Sequence, residues 1–216
     1  MPDHPARHTL VWLPVHAGWR ADVAAHEPRL SAWFAQGLPA MVARRAADDP
    51  DPRLRLGVPL PPAEGKQRLA LRVARQDIGQ LQAPPALSDV LAAAGCRIPL
   101  PWHAPLLALA ALAPARVFGA FAWQHLTGLD YVQPRSDIDL LWQVADAAQA
   151  DALVAQLQAW EARHPHRIDG ELCLVDGGAV NWREYAGCSR EVLVKRIDGA
   201  ALEPRASLFN PARVAA

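Results

Sequence analysis

The sequence predicts an α+β chain in two parts: a small β-rich module over residues 1–82, and a mixed sheet flanked by helices over residues 83–216. Three observations carry this. Residues 65–74 (GKQRLALRVA) alternate with a period of two, with Leu69, Leu71 and Val73 on one side and Arg68, Ala70 and Arg72 on the other. The pair Pro84–Pro85 then breaks the chain. Beyond it, a long amphipathic helix over Asp146 to Arg163 is followed by two strands around Asp176–Gly177–Gly178, a hairpin signal.

The elements follow in order. His8 to Pro14 reads as a short strand with Val11, Trp12 and Leu13 as an apolar run. Ala32 to Arg45 is mostly apolar and ends in Arg44–Arg45. Asp48 to Pro62, with its prolines and glycine, reads as a loop with little room for a helix or a central strand. Ser88 to Ala94 predicts a helix with Ser88 as N-cap and Gly95 at C′. Pro105 to Ala113 predicts another, with proline at its first position. A short strand at Ala115 to Phe118 runs into Gly119–Ala120, and Phe121 to Thr127 is a helix stopped by Gly128. Ile138 to Val144 is a buried strand. In the long helix, Ala147, Leu153, Val154, Leu157 and Trp160 share one face. Ile168 to Val175 and Ala179 to Tyr185 form the hairpin, and Val192 to Ile197 adds a strand.

Composition bounds the function. At 216 residues and 51% hydrophobic content the chain can fill a core, which excludes a disordered tail. Its 22 basic and 22 acidic side chains balance, so overall charge gives no reason to bind nucleic acid. The longest apolar run, Pro105 to Pro114, falls short of the roughly 18 residues a membrane span needs. Cys96, Cys173 and Cys188 form no CxxC pair, and the N-terminus has no apolar signal core. A cytoplasmic chain with reduced thiols, and no nucleic-acid or membrane partner, is expected. Only Lys66 and Lys195 are lysines among the basic residues, which makes each slightly more informative.

The chemistry concentrates in residues 116–142, RVFGAFAWQHLTGLDYVQPRSDIDLLW. Strand parity sends Asp137 and Asp139 to the same side at the start of an apolar strand. Two neighbouring carboxylates repel, and holding them near apolar surface is costly. A divalent cation relieves both problems, and hard oxygen ligands suit Mg²⁺, which takes further ligands from phosphates. Gly119–Ala120 opens a helix, where free N–H groups and the positive dipole end attract phosphate. A third acid is available on the later strand 166–175. Asp169 and Glu171 share a face there; Asp169 is the first choice because Ile168 is its apolar neighbour, with Glu171 close behind.

A phosphate turn, then Asp-x-Asp, then a later acid resembles the nucleotidyltransferase superfamily, with its DNA polymerase β-like fold. The run 116–142, with RHTLVWL at 7–13, LGVPLPP and KQRLAL between 56 and 71, DGELCLVDGGAVNWREY at 169–185 and REVLVK at 190–195, is similar to the malonate decarboxylase holo-acyl-carrier-protein synthase family, the phosphoribosyl-dephospho-CoA transferases. Together these pieces cover most of the chain. The resemblance implies a nucleotidyltransferase-like domain over 83–216 and a transferase that moves a prosthetic group. The donor would be 2′-(5″-triphosphoribosyl)-3′-dephospho-CoA, the acceptor a serine on the acyl-carrier subunit of malonate decarboxylase, and the by-product pyrophosphate. By the family motif Asp137 and Asp139 are the catalytic, Mg²⁺-binding pair; from the residues themselves, Asp169 is expected to complete the catalytic and metal-binding set, and Gly119, Ala120, Ser136 and Lys195 to bind substrate. One position departs: the family favours Gly-Ser or Gly-Gly at the phosphate turn. Ala120 keeps the N–H but lacks the hydroxyl, whose loss from a charged hydrogen bond costs roughly 1–3 kcal/mol.

Other residues have two readings. Lys195 either meets the pyrophosphate or is solvated. Arg44, Arg45, Lys66, Arg68, Arg72 and Arg75 are a donor-phosphate or carrier-docking surface, or simply a solvated face. Trp123 and Trp142 read as core, while Trp102 and Trp182 are candidates for stacking on the adenine. His164 and His166 belong to a loop, and Asp130 to a turn.

Overall fold

The computed structural model describes residues 5–44, 48–93 and 98–210, and the chain is mixed α+β. Arg45, Gly95 and Cys96 lie outside the described residues. Two compact units divide it: 1–84 with Ile197–Gly199, and 85–196 with 200–216.

The first unit is built on a six-stranded antiparallel sheet. Its elements are β1 (Leu10–Trp12), β2 (Trp19–Ala21), α1 (Glu27–Phe34), β3 (Ala40–Val42), β4 (Leu54–Pro59), β5 (Arg68–Val73) and β6 (Gln80–Gln82). The strand order is β2-β5-β4-β3-β1-β6. In β5, Leu69, Leu71 and Val73 are buried, as their alternation predicts. The expected loop over 48–62 is corrected, because β4 occupies its second half as a central strand. Leu54, Leu56 and Val58 alternate inward, Pro50 and Pro52 precede the strand, and Pro59 is its last residue. The prolines frame the ladder without interrupting it. Arg72 does not offer its charge to a ligand: its Nη1 lies 2.7 Å from Asp49, and its Nε 3.3 Å from Asp22 and 3.7 Å from Asp51.

The second unit carries α2 (Leu87–Ala92), α3 (His103–Ala110), β7 (Arg116–Val117), α4 (Gly119–Thr127), β8 (Ile138–Gln143), α5 (Ala147–Glu161), β9 (Ile168–Cys173), β10 (Ala179–Asn181), α6 (Trp182–Ala186), β11 (Glu191–Arg196) and β12 (Gly199–Pro204). Its sheet order is β12-β11-β10-β9-β8-β7. The β8–β9 pair is parallel, while β7–β8, β9–β10 and β10–β11 are antiparallel, so the sheet is mixed.

Local chemistry explains several boundaries. Asp146 accepts from Gln149 N at 2.8 Å and caps α5, and the Gln149 side chain accepts from Ala145 N at 2.9 Å. The buried stripe of α5 is Ala150, Leu153, Val154, Leu157 and Trp160; Ala147, expected inward, is exposed in the first turn. Ser88 is inside α2, not its cap, because Leu87 N donates to Ala115 O at 2.9 Å and ties the first turn to the strand. Pro105 takes the third position of α3; it costs no hydrogen bond there, since first-turn N–H groups have no helical partner. The hairpin's second strand ends at Asn181, not Tyr185. The Asn181 side chain accepts from Arg183 N at 2.9 Å and starts α6.

Candidate active site

The parallel register of β8 and β9 aligns Ile138 with Ile168, Asp139 with Asp169, Leu140 with Gly170 and Leu141 with Glu171. Parity then sorts the side chains. Ile138, Leu140, Trp142, Ile168 and Leu172 face the core of the second unit. Gly170 is needed on that face: a Cβ there would lie 2.4 Å from the Trp142 ring. The opposite face receives Asp139, Asp169 and Glu171. Asp139 and Asp169 are both half-buried register partners, so the Asp-x-Asp strand and the later acid strand meet in the sheet.

Three grips hold this pair. Ile168 N donates to Glu161 Oε1 at 3.0 Å, and Ile168 O accepts from Trp182 Nε1 at 3.2 Å, fixing the strand just ahead of Asp169. Asn181 Nδ2 donates to Asp169 Oδ1 at 2.9 Å. On the other side, the carboxylate of Asp139 lies against Gly119. A Cβ on Gly119 would fall 1.8 Å from Asp139 Oδ2, and Gly119 has φ +63°, a conformation that favours glycine. Phe118 N donates to the Asp139 carbonyl at 3.0 Å and seals the turn onto β8. The N-terminus of α4 therefore opens beside Asp139. Ala120, the second residue of that turn, packs against the hydrophobic core, so its methyl group has an apolar role while its backbone N–H stays at the helix start.

The loop between α4 and β8 is tied down from within. Gln124, buried in α4, accepts from Tyr131 N at 3.0 Å and from Val132 N at 2.8 Å. Gly128, in the left-handed region, ends the helix, and Thr127 Oγ1 accepts from Leu129 N at 3.1 Å. Ser136 Oγ accepts from Gln133 N at 2.9 Å, closing the last turn before the acids. Asp137 stands one residue ahead of β8, with an Oδ2 3.9 Å from Arg167 Nη1.

Glu171 is 5% exposed. Lys195 Nζ donates to its Oε1 at 3.0 Å, reaching across Ala179, the register neighbour of both Cys173 and Lys195. Lys195 is thus engaged with an acid of the same face. Trp102 and Trp182, the stacking candidates, are 4% and 2% exposed and offer no open ring face. Trp123 and Trp142 are core residues, as expected. His164 stacks on Trp160 and His166 packs against Trp102. Burial pushes the His166 imidazole below its ordinary value, with the nearby His164 acting in the same direction.

Sequence reasoning missed Asn181, Gln124 and Arg167. Asn181 had a signal, an Asn three residues before Glu184 at a strand end, the spacing of a helix start. Gln124 and Arg167 had none, because their partners are backbone groups or side chains set by the loop and the register.

Among the described residues, no three His, Cys, Asp or Glu side chains gather as a ready-made metal cage. The paired carboxylates suit a cation of another kind. Mg²⁺ is commonly held by one or two carboxylates and completes its shell with substrate phosphates and water. Asp139 and Asp169 supply such a hard-oxygen pair, next to a cradle that a Cβ would fill. No helix among the described residues is long and apolar enough to cross a membrane.

Comparison with known proteins bears on the whole chain. No solved structure matches it. A phosphoribosyl-dephospho-CoA transferase from Xanthomonas campestris pv. campestris (strain 8004) is 52% identical over 215 residues, spanning 97% of this chain and 99% of that protein. A protein of the same name from Bradyrhizobium diazoefficiens is 40% identical, over 96% and 94% of the two chains. One from Pseudomonas putida (strain GB-1) is 33% identical, over 92% and 93%. The family model of the phosphoribosyl-dephospho-CoA transferase MdcG N-terminal domain matches residues 6–84, and that of the MdcG C-terminal domain matches residues 86–206. With both domain models in order and relatives alike from end to end, the chain belongs to the MdcG family of phosphoribosyl-dephospho-CoA transferases.

Proposed function

We propose that this protein transfers the phosphoribosyl-dephospho-CoA group from 2′-(5″-triphosphoribosyl)-3′-dephospho-CoA to a serine hydroxyl on the acyl-carrier subunit of malonate decarboxylase, releasing pyrophosphate. The observation that carries the reading is the pairing of Asp139 with Asp169 on one face of the second sheet, beside the N-terminus of α4. The family's name supplies the group transferred. The reaction class is nucleotidyl transfer on a DNA polymerase β-like domain, supported by the order of phosphate turn, Asp-x-Asp and later acid.

The chemistry is a displacement at phosphorus. The serine oxygen attacks the α-phosphorus of the donor's triphosphate, the bond to the pyrophosphate oxygen breaks, and a phosphodiester forms. Bound Mg²⁺ would neutralise the triphosphate charge and polarise the leaving pyrophosphate. Asp139 and Asp169 are the residues that would hold it, with Asp137, one residue ahead of β8, as the further acid of the set. The α4 N-terminus, through the N–H groups of Gly119 and Ala120, binds a donor phosphate oxygen. Ser136 keeps the approach to the acids in a closed turn. Asp169 accepts the serine proton as the new bond forms. Lys195 balances Glu171 and keeps that acid from adding negative charge beside the phosphates. The nucleophile arrives on the partner, so the chain needs no serine–histidine pair of its own.

The test is mass spectrometry of the apo acyl-carrier subunit after incubation with protein, donor and Mg²⁺. The expected result is one added prosthetic group on a serine, with pyrophosphate released in equal amount and both lost on chelation. Transfer from ATP at the same rate would overturn the donor assignment.

A further inference from the structure

We propose that Asn181 is a positioning residue for the transfer, setting the orientation of the Asp169 carboxylate; this rests on the role given to Asp169 above. Asn181 ends β10 and is the N-cap of α6. Its two side-chain ends are spoken for. Oδ1 accepts from Arg183 N at 2.9 Å, and Nδ2 donates to Asp169 Oδ1 at 2.9 Å. A backbone N–H can only donate, so the carbonyl end of the amide must face Arg183. The amino end is thereby turned onto Asp169. The start of α6 thus decides which atom meets the carboxylate.

The neutrality of the amide matters as much as its reach. An arginine or lysine in that place would cancel the charge of Asp169, as Lys195 does for Glu171 one step along the strand. The amide engages one oxygen of Asp169 and leaves its charge in place, while Asp139 stands opposite in register. A carboxylate so held keeps a fixed orientation and remains an acceptor on its other oxygen. Partners that orient a ligating group commonly contribute this way.

Two substitutions separate positioning from capping. Serine and aspartate are good N-caps, so Asn181→Ser and Asn181→Asp both keep the start of α6. Serine is too short to reach Asp169, and aspartate presents an acceptor where a donor is needed. Asn181→Ser should lower kcat by about 10–100-fold, the usual effect of losing an orienting partner, with KM and Tm close to those of the parent chain. Asn181→Asp should fall at least as far. A wild-type kcat in either variant, with Asp169→Asn inactive, overturns the role of Asn181 alone. A fully active Asp169→Asn overturns the role of Asp169 and that of Asn181 with it. A readout free of turnover completes the test. In a ¹⁵N-labelled sample, the Asn181 side-chain amide signals, identified by their absence in Asn181→Ser, should move in Asp169→Asn; unmoved signals overturn the proposal.

Discussion

Each unit gathers carboxylates, and the two gatherings are finished differently. In the first, Asp22, Asp49 and Asp51 surround Arg72, and Arg53 grips Asp51 through paired hydrogen bonds. The bonds from Arg53 hold the Asp51 carboxyl well below the usual carboxylate range. Every acid of that cluster has a guanidinium within the unit, and the cluster is complete as it stands. In the second unit Asp169 meets a neutral amide and has no ion pair among the described residues, while Asp139 lies beside a glycine and a helix start. The difference fits the separate roles proposed for the two clusters. Acids that serve stability come with their counter-charge built in. An acid held by a neutral amide, as Asp169 is, keeps its negative charge, which is what the proposed role toward a cation arriving with substrate requires.

The largest effect is expected where that contrast is sharpest. Asp139→Asn or Asp169→Asn should reduce pyrophosphate release by about 10³-fold, equivalent to about 4 kcal/mol of transition-state stabilisation, with Tm unchanged or slightly raised. A variant that loses Tm and keeps its rate would put the pair in the same class as the Arg72 cluster. Next comes Gly119→Ala. The left-handed φ and the clash with Asp139 should cost about 1–3 kcal/mol in urea unfolding, with a fall in rate because the Asp139 carboxylate is displaced. Gly170→Ala sharpens the comparison from the other face of the same sheet. It crowds Trp142 and should cost about 1–3 kcal/mol of stability, with kcat reduced less than in Gly119→Ala.

The smallest effect is one of pH. The His166 imidazole is lowered from its ordinary 6.5 in the folded chain. The unfolded chain therefore takes up its proton first, and stability falls as pH drops through about 6.5. His166→Phe, which cannot be protonated, should flatten that part of the stability curve. An unchanged slope would mean that burial at Trp102 does not govern it.

Much of the local structure is legible in the residues. The alternation in β5, the Asp146 cap, the stop at Gly128 and the pairing of β9 with β10 all follow from patterns within a few residues. The fold departs from the local patterns where tertiary contacts override them. Ser88 is a good cap in isolation, but a strand carbonyl from Ala115 already takes the Leu87 N–H. The prolines of 48–62 suggest a loop, yet buried Leu54, Leu56 and Val58 hold a strand between them. Trp182 is a stacking candidate by sequence, but in the fold its ring is buried and its N–H is bonded to Ile168 O.

The sequence alone determined the spacing of Asp137 and Asp139, the glycine-led start of α4 and the family likeness, since these are matters of residue order and strand parity. Only the tertiary structure decided that Asp139 faces Asp169, that Glu171 is taken by Lys195, and that Asn181 holds Asp169. The physical reason lies in the parallel pairing. No tight turn links β8 to β9, so α5 and the packing of Trp142 over Gly170 set their register, and a shift of one residue would turn the second acid to the other face.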